Sequence, residues 1–237
     1  MLIGTALRLL LLTQLASPAV AQTVWRINNT TNIGGHSVTM LGNPQVTGTP
    51  YGQAVRFNGI NDGLIVSNNP VAGMSNLTVE LVFKHDPLTV PAAREPRIVH
   101  IQSSGPSAAA HRLTLESRVS TKTTPHTFHL DTFLRFEGTK GHNCTLLNDD
   151  LPHPIGEWTH MAVTYDGTNF CNYVNGRLEH CGVMKGTVFA STGATWIGQR
   201  NNNVNHFEGT VLALRFSPRV LATNEFLQIQ DTKLFTP

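Results

Sequence analysis

Long apolar runs are scarce in this chain, and so are charge and cysteine. Beyond its first residues no segment approaches the roughly 20 apolar residues that a membrane-crossing helix requires, so no helical membrane span is expected. Charged residues make up 14% of the chain and form no block of one sign. The formal net charge is +2 over all 237 residues. A surface so close to neutral offers no electrostatic footprint for nucleic acid or anionic lipid, and nucleic acid is not an expected partner. The chain has three cysteines, and Cys144 has no His or Cys neighbour at metal-ligand spacing, which argues against a zinc site or a catalytic thiol there. No Pro/Gly/Ser-rich linker interrupts the sequence, no internal repeat recurs at a fixed period, and no cofactor motif is present.

What is present begins with an export signal. Residues 1–21 run from a single cation, Arg8, through Leu9–Leu12 to the small residues of Ala19-Val20-Ala21, the pattern of a cleaved signal peptide. Its removal leaves a net charge of about +1. The expected compartment is therefore extracellular or periplasmic, an oxidising setting in which disulfides persist. Asn28, Asn29, Asn76 and Asn143 each begin an Asn-x-Ser/Thr sequon, which matters only in a host that glycosylates. The remaining residues, about 23 to 232, suit one β-sandwich domain with a single large core.

The periodicity is that of strands. Leu77, Val79, Leu81 and Phe83 alternate with polar or smaller residues, as do Leu113, Leu115 and Ser117. Short β-rich runs at 55–57, 64–66, 98–102, 127–136, 161–165, 172–174, 194–197 and 210–216 are separated by Gly, Asn, Asp or Pro. Many short strands at this spacing favour an all-β sandwich or jelly roll. The one helix candidate is residues 223–228, with Thr223 as its cap. Asn61-Asp62-Gly63 and Asn175-Gly176 supply the residues that tight hairpins require. Of the possible cysteine pairings, a hairpin centred on Asn175-Gly176 favours Cys171 with Cys181, which leaves Cys144 over.

Several motifs resemble, in order, those of laminin G-like, concanavalin A-like jelly-roll domains. They are residues 52–66 with the step Phe57-Asn58-Gly59, then Trp158 to Tyr165 with Asp166-Gly167, then Tyr173 to Gly176. Ile197 to Arg200, Phe207 to Val211, Arg215-Phe216, Arg219 to Leu221 and Glu225-Phe226 complete the series. The resemblance covers about residues 45 to 230 and implies a sandwich of two antiparallel sheets. It also implies carbohydrate binding or adhesion more often than catalysis. Some members bind calcium, so Asp62 and Asp166 are considered as ligands, although one Asp in each of two turns does not assemble the several converging oxygens that calcium wants. His160 lies within a packing motif and is read as structural, and Trp158 as part of the core with Met161, Val163 and Tyr165.

Alternation along the strands also nominates a binding face. With Val79 and Leu81 inward, Glu80 and Lys84 share the other side; with Val99 and Ile101 inward, His100 and Gln102 do. Arg112, Glu116 and Arg118 oppose Leu113 and Leu115, and His129 and Asp131 oppose Phe128 and Leu130. The expected ligand-binding residues are therefore Glu80, His100, Gln102, Arg112, Glu116, Arg118, His129 and Asp131. They would line a groove for a glycan or another extracellular polymer, with arginine available to a uronic carboxylate. The competing account is a solvated sheet face laced by cross-strand ion pairs. Carbohydrate platforms usually carry aromatic rings, and Phe133 or Phe136 would supply one. A noncatalytic carbohydrate-binding or adhesion module is the leading expectation. A polysaccharide lyase or glycoside hydrolase and a structural extracellular protein are the alternatives, and the paired carboxylates that a retaining hydrolase places along one strand are not found.

Overall fold

The computed structural model describes residues 21–87, 95–104, 111–122, 124–136, 143–184 and 192–230. The expected signal peptide falls almost wholly outside them. Among the described residues the chain forms, in order, β1 (Thr23–Arg26), β2 (Asn32–Ile33), β3 (His36–Leu41), β4 (Gln45–Thr49), β5 (Gly52–Asn58) and β6 (Gly63–Val66). There follow β7 (Leu77–His85), β8 (Arg97–Ser103), β9 (Arg112–Ser120), β10 (Thr127–Arg135), β11 (Asn143–Leu147) and β12 (His153–Pro154). The last are β13 (Trp158–Tyr165), β14 (Asn169–Val174), β15 (Arg177–Val183), β16 (Gly193–Ile197) and β17 (Glu208–Ser217).

These strands make two antiparallel sheets. An eight-stranded back sheet runs β15-β14-β13-β7-β17-β5-β4, with β1 alongside β17. A nine-stranded front sheet runs β11-β10-β9-β8-β16-β6-β3-β2, with β12 on β10. The inner faces interdigitate into one apolar core: Val79, Leu81, Phe83, Met161, Val163 and Phe216 from the back sheet meet Val99, Ile101, Leu113, Leu115, Phe128 and Leu130 from the front. Buried hydrogen bonds tie the sheets across this core. His85 Nε2 lies 2.9 Å from Ser117 Oγ, and the Asn172 amide donates to Thr132 Oγ1 at 3.2 Å. Burial pushes the His85 pKa down to about 3, so its ring stays neutral.

The outer faces of the two sheets differ. On the back sheet Ala54, Val82, Leu212 and Ala213 are buried beneath Leu227, and Ala162 beneath Leu221 and Phe226. The C-terminal segment therefore lies across that face, which is why every residue of β17 is buried although side chains alternate along a strand. In the front sheet β10 keeps the alternating exposure of a strand with one open side.

The Asn175-Gly176 turn takes the left-handed geometry expected of a tight hairpin, with φ of 47° and 78°. It places Cys171 directly opposite Cys181, and the two form a disulfide. Cys144 is a free thiol. The earlier turn differs from expectation. Its left-handed residue is Gly59, at φ 72°, while Asn58 Oδ1 accepts the backbone amides of Ile60, Asn61 and Asp62. Gly63 is required for space, since a Cβ there would sit 2.6 Å from the Gln199 side chain. The expected helix shortens to a single 3-10 turn, Thr223–Glu225, whose cap position is Ala222 and not Thr223.

Candidate functional site

Strand register assembles the outer face of the front sheet in rows. Trp196 stands opposite His100, His100 opposite Thr114, Thr114 opposite Phe133 and Phe133 opposite Thr145. Beside that row lies Gln102–Arg112–Arg135–Asn143, and on its other side Arg97–Glu116–Asp131–Leu147, followed by Arg118 opposite His129. All the nominated ligand residues except Glu80 thus share one face of adjoining strands β8, β9 and β10.

Glu80 belongs elsewhere. Strand β7 sits in the back sheet, and its outward carboxylate is fully buried beneath the C-terminal segment. There it accepts hydrogen bonds from Arg215 Nε, from the Leu227 amide at 2.7 Å and from His160 Nε2 at 3.1 Å. Burial pushes its pKa up, but the bonds from His160, Arg215 and Leu227 outweigh this and hold it below the usual carboxylate range. Alternation along β7 identified the outward side chain correctly; it carries no information about which sheet the strand joins. His160, as expected, is a satisfied structural group.

Three of the nominated residues, Glu116, Arg118 and Asp131, are held in an ion network with Arg97 and Glu95. Arg118 Nε pairs with Asp131 at 2.8 Å, and Arg97 Nη1 with Glu116 at 2.5 Å. Glu95 bridges the two arginines, 3.2 Å from Arg118 and 3.4 Å from Arg97, and Thr114 donates to Glu116. The arrangement sets three carboxylates against two guanidinium groups, mostly out of water. Burial is the main reason that the Glu116 pKa is pushed up to about 7; Asp131 and Glu95 add to the rise, while Arg97 and Thr114 oppose it. Burial also raises the Asp131 carboxyl, against the pull of Arg118. This part of the face matches the competing account, a cross-strand ion network.

The remaining residues are placed differently. His100 Nε2 donates to Gln102 Oε1 at 2.9 Å, which also accepts from Asn201 at 3.0 Å. Burial takes the His100 pKa down to about 3, so the ring is neutral and its Nδ1 is an acceptor with no hydrogen-bond partner among the described residues. The Arg112 guanidinium lies over the Phe133 ring, 4.3 Å from its centroid. His129 lines a groove of about 860 Å³ with Glu95, Arg118, Lys122 and Asp149.

The aromatic positions were only partly foreseen. Phe133 is half-buried and faces outward, whereas Phe136 is in the core. Trp196 is also half-buried and outward, edge-on to His100 with centroids 5.6 Å apart. Trp158, expected in the core, instead sits on the outside of β13, packed edge-on against Tyr51. Its even number places it opposite Met161, Val163 and Tyr165, a parity the sequence already contained. The same parity test applied past Asp131 yields Phe133 and Arg135, and applied to Ile197 yields Trp196.

Asp62 and Asp166 are occupied by their own turns. Asp62 accepts the amides of Asn43 at 2.7 Å and Asn58 at 3.0 Å, and Asp166 those of Thr168 at 2.8 Å and Asn169 at 2.6 Å. Among the described residues no three His, Cys, Asp or Glu side chains converge as a metal site.

Comparison with known proteins agrees with this architecture. A laminin G family profile, described as the concanavalin A-like lectin/glucanases superfamily, matches residues 57–225. The chain belongs to this family. Among solved structures, domain 4 of AbnA, an extracellular arabinanase of Geobacillus stearothermophilus in complex with arabinotriose, aligns with a TM-score of 0.61 at 19% identity. That alignment covers 89% of this chain and 96% of the domain. The binding domain of botulinum neurotoxin DC in complex with SialylT aligns at TM-score 0.60 and 13% identity, over 90% of this chain and 50% of the toxin fragment. Trypanosoma rangeli sialidase in complex with the inhibitor DANA aligns at TM-score 0.58 and 14% identity, over 86% of this chain and 31% of the enzyme. At these identities the likeness is one of fold. No curated protein matches the chain.

Proposed function

We propose that the protein is an exported, noncatalytic carbohydrate-binding module of the concanavalin A-like family, with its ligand lying across the outer face of the front sheet. The observation that carries this is the row Trp196–His100–Thr114–Phe133. Two half-buried rings on β16 and β10 flank hydrogen-bonding groups on β8 and β9, with about 14 Å between the outer strands at the usual strand spacing. Rings offer apolar faces to sugar C–H groups, while Gln102, Arg112 and Asn201 are placed to hydrogen-bond hydroxyls. The arabinotriose held by the arabinanase domain and the SialylT held by the toxin domain support a glycan as the ligand class. Residues 1–21 and the Cys171–Cys181 disulfide support export.

The test is a glycan array and polysaccharide pull-down with the mature protein, repeated with Trp196→Ala and Phe133→Ala. Each substitution is expected to weaken binding at least tenfold, about 1.4 kcal/mol. Failure to bind any glycan, or binding indifferent to both substitutions, overturns the reading. Arg118→Ala is a poorer probe, because it strips Asp131 of its ion pair.

A second reading, polysaccharide cleavage, draws on Glu116 and Asp131, which stand opposite each other and include a carboxyl protonated near neutral pH, as a general acid requires. Their side chains are only 4% and 3% exposed and are held by Arg97 and Arg118, so a substrate would have to displace that cover. New reducing ends or unsaturated products released from a bound polysaccharide would establish it.

A further inference from the structure

The arginines on the front face divide into two groups. Arg97 and Arg118 are neutralised by Glu95, Glu116 and Asp131. Arg112, Arg135 and Arg200 are not: among the described residues none of them lies within ion-pair distance of a carboxylate. Arg112 and Arg135 are cross-strand partners on β9 and β10, an arrangement of like charges that costs stability unless something compensates it. Arg200 follows β16 in the stretch that also carries Asn201, whose amide reaches Gln102 in the same row as Arg112. The groups that act on Arg112 are mostly cationic. After burial, the largest influence lowering its pKa is Arg200, joined by Arg97 and Arg135, with Glu116 opposing, and that carboxyl already accepts from Arg97 and Thr114. Among the described residues the Nε donors of Arg112 and Arg200, both buried, have no hydrogen-bond partner. Buried, unpaired guanidinium donors gathered beside an aromatic platform are an unfavourable arrangement in the free protein, and an anion relieves it.

We infer that the ligand is an anionic glycan, one whose carboxylate or sulfate groups seat among Arg112, Arg135 and Arg200 while a sugar ring packs on Phe133 or Trp196. This rests on the carbohydrate-binding reading and adds the charge of the ligand to it. Guanidinium forks match both anions with paired N–H donors, so the two sources are separated by experiment.

The probes are polygalacturonate and its fully methyl-esterified form, and dextran sulfate and dextran, each titrated calorimetrically into the mature protein at low and high salt. At least one anionic polymer is expected to bind tenfold or more tightly than its neutral counterpart, and the advantage is expected to shrink at high salt as the charges are screened. The double variant Arg135→Gln/Arg200→Gln is expected to bring the anionic polymer down to the affinity of the neutral one. Arg177→Gln removes an equal type of charge from an exposed position on β15 and is expected to change affinity less than twofold. Neutral polymers binding as tightly as anionic ones, with Trp196→Ala still abolishing both, overturns this inference and leaves the carbohydrate-binding reading intact. An anionic preference that survives the double variant, or falls equally with Arg177→Gln, also overturns it. No binding of any polymer overturns both.

Discussion

Glu116→Gln tests the ion network on the front face through linkage. The Glu116 carboxyl has its pKa pushed up to about 7, from an ordinary 4.5, by burial and by the neighbouring Asp131 and Glu95. Between those values the folded protein holds a proton that the unfolded chain has released, so this group's contribution to stability falls as pH rises through the window. Integrated from pH 5 to pH 8, the loss is on the order of 2–3 kcal/mol. Gln resembles the protonated acid and does not titrate, so the variant lacks this loss. The upward shift of Asp131 has burial as its main cause and is shared by both proteins. Urea unfolding of wild type and variant at pH 5 and at pH 8 gives the relevant quantity, the change in their stability difference. That difference should move by about 2–3 kcal/mol in favour of the variant, roughly a 1 M shift in relative midpoint for an m-value of about 2–3 kcal/mol/M. A difference that stays constant within about 0.5 kcal/mol across the range would mean that Glu116 titrates as it does in the unfolded chain, and the network argument would fail.

Two further substitutions probe the back sheet. Glu80→Gln leaves Arg215 buried without its counter-charge and should cost about 3–5 kcal/mol in urea unfolding. It should also speed hydrogen exchange at the Leu227 amide, which loses an ionised acceptor, and a loss below about 1 kcal/mol with unchanged exchange would refute a role for Glu80 in holding the C-terminal segment. Because the Glu80 pKa is depressed in the fold, the wild-type contribution is present above the ordinary carboxylate pKa and disappears as pH falls through the folded value; the variant should show no such acid-limb loss. Replacing Cys171 and Cys181 together by Ser opens a closure with a sequence separation of 10. The chain-entropy relation gives about 3 kcal/mol for it, and a non-reduced wild type no more stable than the variant would contradict that estimate.

The sandwich was legible because its determinants are local. Alternation of Leu77, Val79, Leu81 and Phe83, the Asn175-Gly176 turn and the ordered motifs from Phe57 to Phe226 each act within a few residues of themselves. The hairpin disulfide follows from the same turn. The site was legible only in part, because alternation sorts side chains to one face or the other of a strand and cannot say which sheet holds the strand. Glu80 failed on that point, since the chain crosses between sheets after β7. Ion pairing was likewise out of reach: Arg97, at the start of β8, and Glu95, just before it, pair with Glu116 and Arg118 only through the fold. Phe133, Arg135 and Trp196 were within reach of the parity test and needed only that it be carried one or two residues further.

The two outer faces differ in what covers them among the described residues. The back sheet presents Val82, Ala162, Leu212 and Ala213 outward, small or apolar side chains that would be an exposed patch in a bare sandwich, and residues 221–227 lie over them. Glu80 fixes this cover electrostatically, by accepting from the Leu227 amide with the same carboxylate that neutralises Arg215, while Glu225 holds Arg219 and the Ala222 amide at its margin. A buried carboxylate with that many donors is strongly committed to one arrangement, since each donor loses an ionised partner if the segment lifts. Among the described residues no segment lies over Trp196, Phe133 and Arg135 in this way, and the outward residues there include rings and cations in place of small apolar groups. Half-buried aromatic rings beside arginines that meet no carboxylate among the described residues are the features on which the proposed recognition role rests. Glu80 and Arg112 are alike as outward strand residues, yet Glu80 is buried and bonded beneath the C-terminal segment, whereas Arg112 lies on the face to which the proposed ligand is assigned.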